Sequence, residues 1–113
     1  MKKSLLVLLA IMVLAGCETT APLYYHGQYN TAVYSYFKAE DVTLEEQIGV
    51  LQELIETAAA NSKHVAPGVH AHLGMLYFET GNAALGKQHF ETEMALFPES
   101  KHYISFLLKS AGV

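Results

Sequence analysis

The chain contains no arginine and no tryptophan, and its seven cationic residues are all lysines. The formal net charge of the 113 residues is −4. Proteins that bind nucleic acid neutralise its phosphates with clustered lysines and arginines. An acidic chain without arginine therefore predicts a protein that does not bind nucleic acid.

Cysteine and long apolar runs are also scarce. Cysteine occurs once, at Cys17, so no disulfide can form within the chain. The longest apolar run lies at residues 5–14, and no later run approaches the roughly 20 residues that a transmembrane helix needs. We therefore expect no membrane-spanning helix, and the single cysteine needs another explanation.

The start of the chain supplies that explanation. Lys2 and Lys3 provide a basic end, the apolar run follows, and Leu14-Ala15-Gly16-Cys17 closes it. A secretory signal peptide has this order, with an apolar core of about 7–15 residues and small residues at the cleavage site. The last four residues resemble the lipobox of bacterial lipoproteins, [LVI]-[AST]-[GA]-C, at every position. The alternative, an ordinary buried free cysteine, leaves these features unexplained.

The resemblance implies that residues 1–16 are removed and that Cys17 becomes the lipidated first residue, carrying palmitate-type chains. Several acyl chains bind a membrane far more strongly than one, at about 0.8 kcal/mol per buried CH₂. Glu18 stands where aspartate is the inner-membrane retention mark of enteric bacteria, which implies the periplasmic face of the outer membrane. Residues 17–23 would then form a lipidated tether and residues 24–113 the folded domain.

The spacing of apolar residues predicts helices and no convincing strand. The predicted helices cover residues 27–39, 44–61, 69–80, 83–96 and 99–110. Local signals mark their ends: Thr43 and Glu46 have the form of a capping box, and Gly81 suits the left-handed end of a helix. Asn82 can then cap the next helix. The expected fold is all-α, built of antiparallel helical hairpins.

The last predicted helix is expected to cap the C-terminal end of the domain. Its apolar residues would supply the buried stripe, and these are Tyr103, Ile104, Leu107 and Leu108. In the second helix, the expected apolar face consists of Leu44, Ile48, Leu51, Ile55, Ala58 and Ala59.

The segment from residue 67 to residue 100 resembles one tetratricopeptide repeat, a helix–turn–helix unit of 34 residues. The resemblance is carried by Leu73-Gly74, Tyr77, Gly81, Phe90 and Pro98. Gly74 would let the neighbouring helix approach, and Tyr77 and Phe90 would fill the space between the paired helices. Glu93 departs from the pattern, because it occupies a small-residue position, and is expected to be partly exposed.

Residues 26–66 give a weaker second copy of the repeat. Over its whole length the chain resembles small bacterial outer-membrane lipoproteins that combine a tyrosine-rich start with a repeat-like end. Genes of that family often neighbour the gene of a curli-secretion-channel-like lipoprotein. The resemblance therefore implies a protein partner in an envelope or secretion assembly.

Five of the seven tyrosines fall between Tyr24 and Tyr36. A tyrosine cluster can bind a partner or stack on sugars, since each ring joins a large apolar area to a hydroxyl. The alternative is that Tyr25, Tyr29 and Tyr36 belong to the core. Tyr24 and Tyr34 lie off that stripe, so we consider them the candidate protein-binding residues.

Neither a metal site nor a catalytic site is predicted. His70 and His72 lie two residues apart, which places them on different sides of a helix, and no H-E-x-x-H pattern is present. No G-x-S-x-G turn or pair of spaced carboxylates indicates hydrolysis. An acidic group is interpreted as a solvated surface, and it consists of Glu40, Asp41, Glu45 and Glu46. We expect no cofactor, no metal and no enzymatic activity.

These observations predict a periplasm-facing lipoprotein that acts as a protein–protein interaction or accessory module of an envelope or secretion assembly. The alternative is a binder or regulator of peptidoglycan or of a cell-wall enzyme.

Overall fold

A computed structural model describes residues 1–4, 21–38 and 42–113 of the chain. The residues outside the described ranges include the apolar run at residues 5–14, Cys17, Glu18, Glu40 and Asp41. The predictions that rest on those positions are therefore not addressed by the fold.

The described part of the chain is dominated by α-helices, which confirms the all-α fold. The helices are α1 (Tyr29–Lys38), α2 (Leu44–Ala60), α3 (Val69–Glu79), α4 (Ala83–Leu96) and α5 (Lys101–Ser110), with a short 3₁₀ helix at Pro98–Ser100. Their ends lie within two residues of the predicted ones. None of these described helices is long and apolar enough to cross a membrane.

Two short strands form a parallel pair that the sequence did not predict. Strand β1 (Tyr24–Tyr25) pairs with β2 (His64–Val65), with Tyr24 opposite His64 and Tyr25 opposite Val65. A strand of two residues is too short to show an alternation of apolar and polar side chains, so sequence patterning could not detect it. The pair ties the start of the domain to the segment that leads into α3.

The predicted helix ends are confirmed at three places. The Thr43 Oγ1 atom accepts a hydrogen bond from the Glu46 amide at 3.2 Å, and the Glu46 carboxylate accepts one from the Thr43 amide at 2.8 Å. After α3, Gly81 has a φ of +84°. The side chain of Asn82 then accepts from the Leu85 amide at 3.2 Å. Local hydrogen bonds therefore define where these helices begin and end.

Helices α3 and α4 form a hairpin whose closest approach is at two glycines. A Cβ atom built on Gly74 would lie 2.5 Å from the Phe90 ring and 2.9 Å from the carbonyl oxygen of Gly86. A Cβ atom on Gly86 would lie 2.7 Å from the ring of Phe78. The role predicted for Gly74 is therefore confirmed, and the same close contact explains Gly86.

The core is formed mainly by α2 and α3, through Leu51, Leu73 and Leu76. Two predicted helix faces need correction. In α2, Leu54 is buried and Ala59 is exposed, because the helix is covered from a slightly different side than the apolar stripe suggested. In α5, Ile104 is buried, but Tyr103 is 57% exposed, because the described helices cover only the side of α5 that carries Ile104.

Candidate functional site

An aromatic cleft of about 200 Å³ opens to solvent between helices α1, α3 and α5. Helix α1 contributes Tyr29, Val33 and Tyr36 to its lining, and α5 contributes Tyr103. The remaining lining residues are Gly68, which directly precedes α3, and Ala71, His72 and Met75 of α3. Most of these side chains are apolar or aromatic. Three helices that are not neighbours in sequence thus build one surface.

The floor of the cleft is an uncharged imidazole. The ring of His72 is buried, with its centroid 5.1 Å from the Tyr36 ring and 6.2 Å from the Tyr29 ring. Burial lowers the pKa of His72, an effect that the nearby Glu79 carboxylate partly opposes. Among the described residues, the buried Nε2 atom of His72 has no hydrogen-bond partner.

A carboxylate stands at the α1 side of this cleft. The hydroxyl of Tyr36 donates a hydrogen bond to the exposed Glu79 at 2.5 Å, which joins α1 to the end of α3. That hydrogen bond, with burial and the negative charge of Glu79, raises the pKa of Tyr36 to about 12. The contact holds the Tyr36 ring at the cleft and keeps a negative charge beside it.

On the other side of α3, a pair of histidines joins it to α4, with His70 on α3 and His89 on α4. The Nδ1 atoms of His70 and His89 are 3.0 Å apart, and the two rings stack with centroids 5.3 Å apart. The ring of Tyr77 also stacks on His89, with centroids 5.5 Å apart, and the side-chain amide of Gln52 donates to the Tyr77 hydroxyl at 2.6 Å. His70 and His72 thus face different neighbours, as their spacing predicted.

The expected partial exposure of Glu93 is wrong, since this side chain is only 2% exposed. Its carboxylate accepts hydrogen bonds from the Gly68 amide at 2.6 Å and the Ala71 amide at 3.2 Å. Gly68 offers no side chain, so a residue of α4 caps the N-terminus of α3. Burial raises the pKa of Glu93, and the backbone amides oppose that rise. Because its oxygens are engaged, Glu93 closes this helix end to other anions.

The histidine pair predicts that the domain loses stability in acid. Burial, and then the neighbouring His89, lower the pKa of His70 from 6.5 to about 4, and burial also lowers the pKa of His89. The stability that the neutral pair contributes is fully present above pH 6.5 and is lost as the pH falls towards 4. The raised pKa of Glu93 acts in the opposite direction and offsets part of this loss.

We expect the pair to account for about 2 kcal/mol of the loss in the free energy of unfolding between neutral pH and pH 4. Urea denaturation at several pH values measures this loss. The double variant His70→Phe with His89→Phe keeps the aromatic stack and should lose about 2 kcal/mol less than the parent. The variant His102→Phe, at an exposed position of α5, should behave as the parent does. Equal acid losses in the parent and the double variant would refute the assignment.

The N-terminal tyrosines divide into two groups. Tyr34 is 53% exposed, with the Lys38 Nζ atom 5.3 Å from its ring centre. Tyr24 is half-buried, because its ring packs edge-on against Phe97 at 5.7 Å. Tyr25, Tyr29 and Tyr36 are also half-buried against the core. Of the two candidate binding residues, only Tyr34 therefore presents most of its ring to solvent.

The cleft itself was not predicted from the sequence. Tyr29 and Tyr36 pack against the core, as one interpretation of the sequence held, but both also line the cleft. Tyr103, which was assigned to a buried stripe, lines it as well. The available signal was the presence of aromatic residues in three separate helices, but that signal does not show which helices lie together. Within the described ranges, no group of three or more histidine, cysteine, aspartate or glutamate side chains could hold a metal ion.

The described residues thus define a small all-α domain with an aromatic cleft on one side. Residues 23–107 match the family described as Domain of unknown function (DUF4810), and the chain belongs to that family. No curated protein and no solved structure matches the chain.

Proposed function

We propose that this protein is a lipid-anchored component of the periplasmic face of the outer membrane and that its helical domain binds another protein of an envelope or secretion assembly. The observation that carries the proposal is the aromatic cleft between α1, α3 and α5. Concave sites rich in aromatic side chains, with few polar groups, favour specific recognition.

The order of the helices supports this proposal. The cleft uses the first helix of each successive hairpin, α1 and α3, and the single last helix, α5. Stacked helical hairpins of the tetratricopeptide kind use an extended concave surface for binding. We therefore propose a tetratricopeptide-like arrangement in which α5 caps the stack.

Binding is favoured over catalysis by the chemistry of the cleft. The only imidazole in its lining is His72, whose Nε2 atom is buried beneath the surface. A general base must come within hydrogen-bond reach of the proton that it removes. The remaining lining residues offer contact area and tyrosine hydroxyls, which suit a partner surface.

The lipid anchor is tested at Cys17. The variant Cys17→Ala should lose labelling by radioactive palmitate, keep its signal segment and leave the outer-membrane fraction, because no thiol remains for acylation. The variant Thr20→Ala, three residues further on, should keep the label and the location. Gel mobility, palmitate labelling and density-gradient fractionation measure these properties. Palmitate labelling of Cys17→Ala, or its unchanged location in the outer membrane, would contradict the proposal.

Partner binding is tested by photo-crosslinking in living cells. A photoreactive amino acid in place of Tyr103 should capture a discrete protein of the envelope, because this exposed residue lies at the cleft. The same amino acid in place of Glu91, exposed on α4, should not capture that protein. A third position, Tyr34, tests whether the contact extends beyond the cleft. Capture of peptidoglycan fragments at Tyr103, or identical products at Tyr103 and Glu91, would overturn the proposal.

A further inference from the structure

A second depression continues the aromatic cleft along α3. Its volume is about 270 Å³, and it is lined by Met75, Phe78, Glu79, Phe90, Leu107, Ser110 and Ala111. Met75 lines both depressions, so they meet at this side chain. We call the combined feature the α3 groove. Helix α5 lines both depressions, α1 lines the first, and Phe90 of α4 lines the second. It follows a helix of 11 residues, which is roughly 16 Å long.

The charge along the α3 groove is uneven. Glu79 is the only acidic or basic side chain among the residues that line the two depressions, apart from the imidazole of His72. The lowered pKa of His72 keeps that imidazole neutral near pH 7. The groove is therefore apolar over most of its length and negative at the C-terminal end of α3.

The opposite end of the groove does not attract an anion. The first amides of a helix commonly bind negative groups. At α3, however, the amides of Gly68 and Ala71 already donate to the buried Glu93. A partner carboxylate would meet occupied donors at this end and the negative Glu79 at the other. The charge pattern thus favours a partner with a cation and disfavours one with an anion.

We propose that the α3 groove binds an apolar peptide segment of the partner protein, with a terminal lysine or arginine of that segment placed against Glu79. This inference rests on the proposed function and adds the chemistry of the partner. The groove length matches about three turns of an amphipathic helix, a common mode of recognition in which apolar anchors recur at three- and four-residue spacings. Tyr29, Val33 and Met75 would contact the anchors, and Glu79 would set the charge preference.

The test uses the full-length lipoprotein in detergent micelles and two fluorescent peptides. Both peptides are amphipathic helix formers of about 12 residues with leucines on one face. One peptide has a lysine at each end and the other a glutamate at each end, so the result does not depend on peptide direction. Fluorescence anisotropy gives the dissociation constants. Because the micelles are common to all samples, differences between variants report on the groove.

We expect the lysine peptide to bind the parent about fivefold more tightly than the glutamate peptide, as for a partly exposed charge pair. The variant Glu79→Gln should abolish this difference while its side-chain oxygen still accepts from Tyr36. The matched variant Glu91→Gln, on the exposed side of α4, should retain it. The variant Tyr103→Ser should weaken both peptides, and the exposure of Tyr103 means that the fold tolerates the change.

Equal binding of the two peptides, or a preference that survives in Glu79→Gln, would overturn the inference. Failure of both peptides to bind, while crosslinking at Tyr103 still captures a protein, would overturn the inference and leave the proposed function standing. If neither peptide binds and crosslinking at Tyr103 captures no protein, both the inference and the proposed function are overturned. Displacement of the lysine peptide by a soluble muropeptide would overturn the inference in favour of a saccharide ligand.

Discussion

Replacing Gly74 with alanine is expected to destabilise the domain by about 3 kcal/mol, although alanine is the better helix former by about 1 kcal/mol. The new Cβ atom would lie 2.5 Å from the Phe90 ring and 2.9 Å from the Gly86 carbonyl oxygen. The Phe90 ring is itself buried, and the Gly86 oxygen belongs to a helix backbone. Helices α3 and α4 must therefore move apart, and the contacts along the hairpin weaken.

A matched control lies in α2. Nothing comes within 4 Å of a Cβ atom built on Gly49, so Gly49→Ala should stabilise the protein by about 1 kcal/mol through helix propensity alone. Urea denaturation followed by circular dichroism measures both free energies. The same substitution is thus expected to lower the free energy of unfolding at Gly74 and to raise it at Gly49. A Gly74→Ala variant as stable as the parent would show that the helix contact is not as close as the structure gives it.

The second large effect is expected at Glu93. The variant Glu93→Ala should lose about 3 kcal/mol of stability, because the amides of Gly68 and Ala71 lose their acceptor at a helix end with no cap of its own. The variant Glu93→Gln keeps one acceptor oxygen but presents an amino group to the second amide. The free energy of unfolding of Glu93→Gln should therefore lie between those of the parent and Glu93→Ala.

The control for Glu93 lies two residues earlier in the same helix. Glu91 is exposed, so Glu91→Ala should change the free energy of unfolding by no more than about 0.5 kcal/mol. Hydrogen exchange adds a local measurement, because the Gly68 and Ala71 amides should lose protection in Glu93→Ala before the rest of α3 does. If Glu93→Ala and Glu91→Ala were equally stable, the cap that joins α4 to α3 would be refuted.

The sequence indicated the helix contact that underlies the Gly74 prediction, but not the helix cap that underlies the Glu93 prediction. The place of Gly74 in a repeat-like pattern, followed by Tyr77, indicates a close helix contact from the sequence alone. For Glu93 the same pattern led to the wrong expectation, because the repeat has a small residue there. A carboxylate that caps a helix more than 20 residues away leaves no local signal, whereas the Thr43 and Glu46 capping box lies within four residues.

The candidate site shows the same division. The spacing of His70 and His72 correctly placed them on different sides of α3, since that follows from the helical repeat alone. That His70 meets His89, and that His72 meets Tyr36, depends on which helices pack against α3. Tyr103 was assigned to a buried stripe because an apolar periodicity alone does not show which side of α5 packs against the other helices.

The sequence by itself determined the helical fold and the ends of most helices, because caps, glycines and prolines act through hydrogen bonds and dihedral angles of neighbouring residues. It also carries the residues before Cys17 that resemble a lipobox, and the lipidation that we propose from them would require no fold. Only the tertiary structure decided that Glu93 is buried, that two histidines pair and that aromatic residues of α1, α3 and α5 share one cleft. These features join residues far apart in the chain, and their positions are set by how whole helices pack rather than by any local pattern.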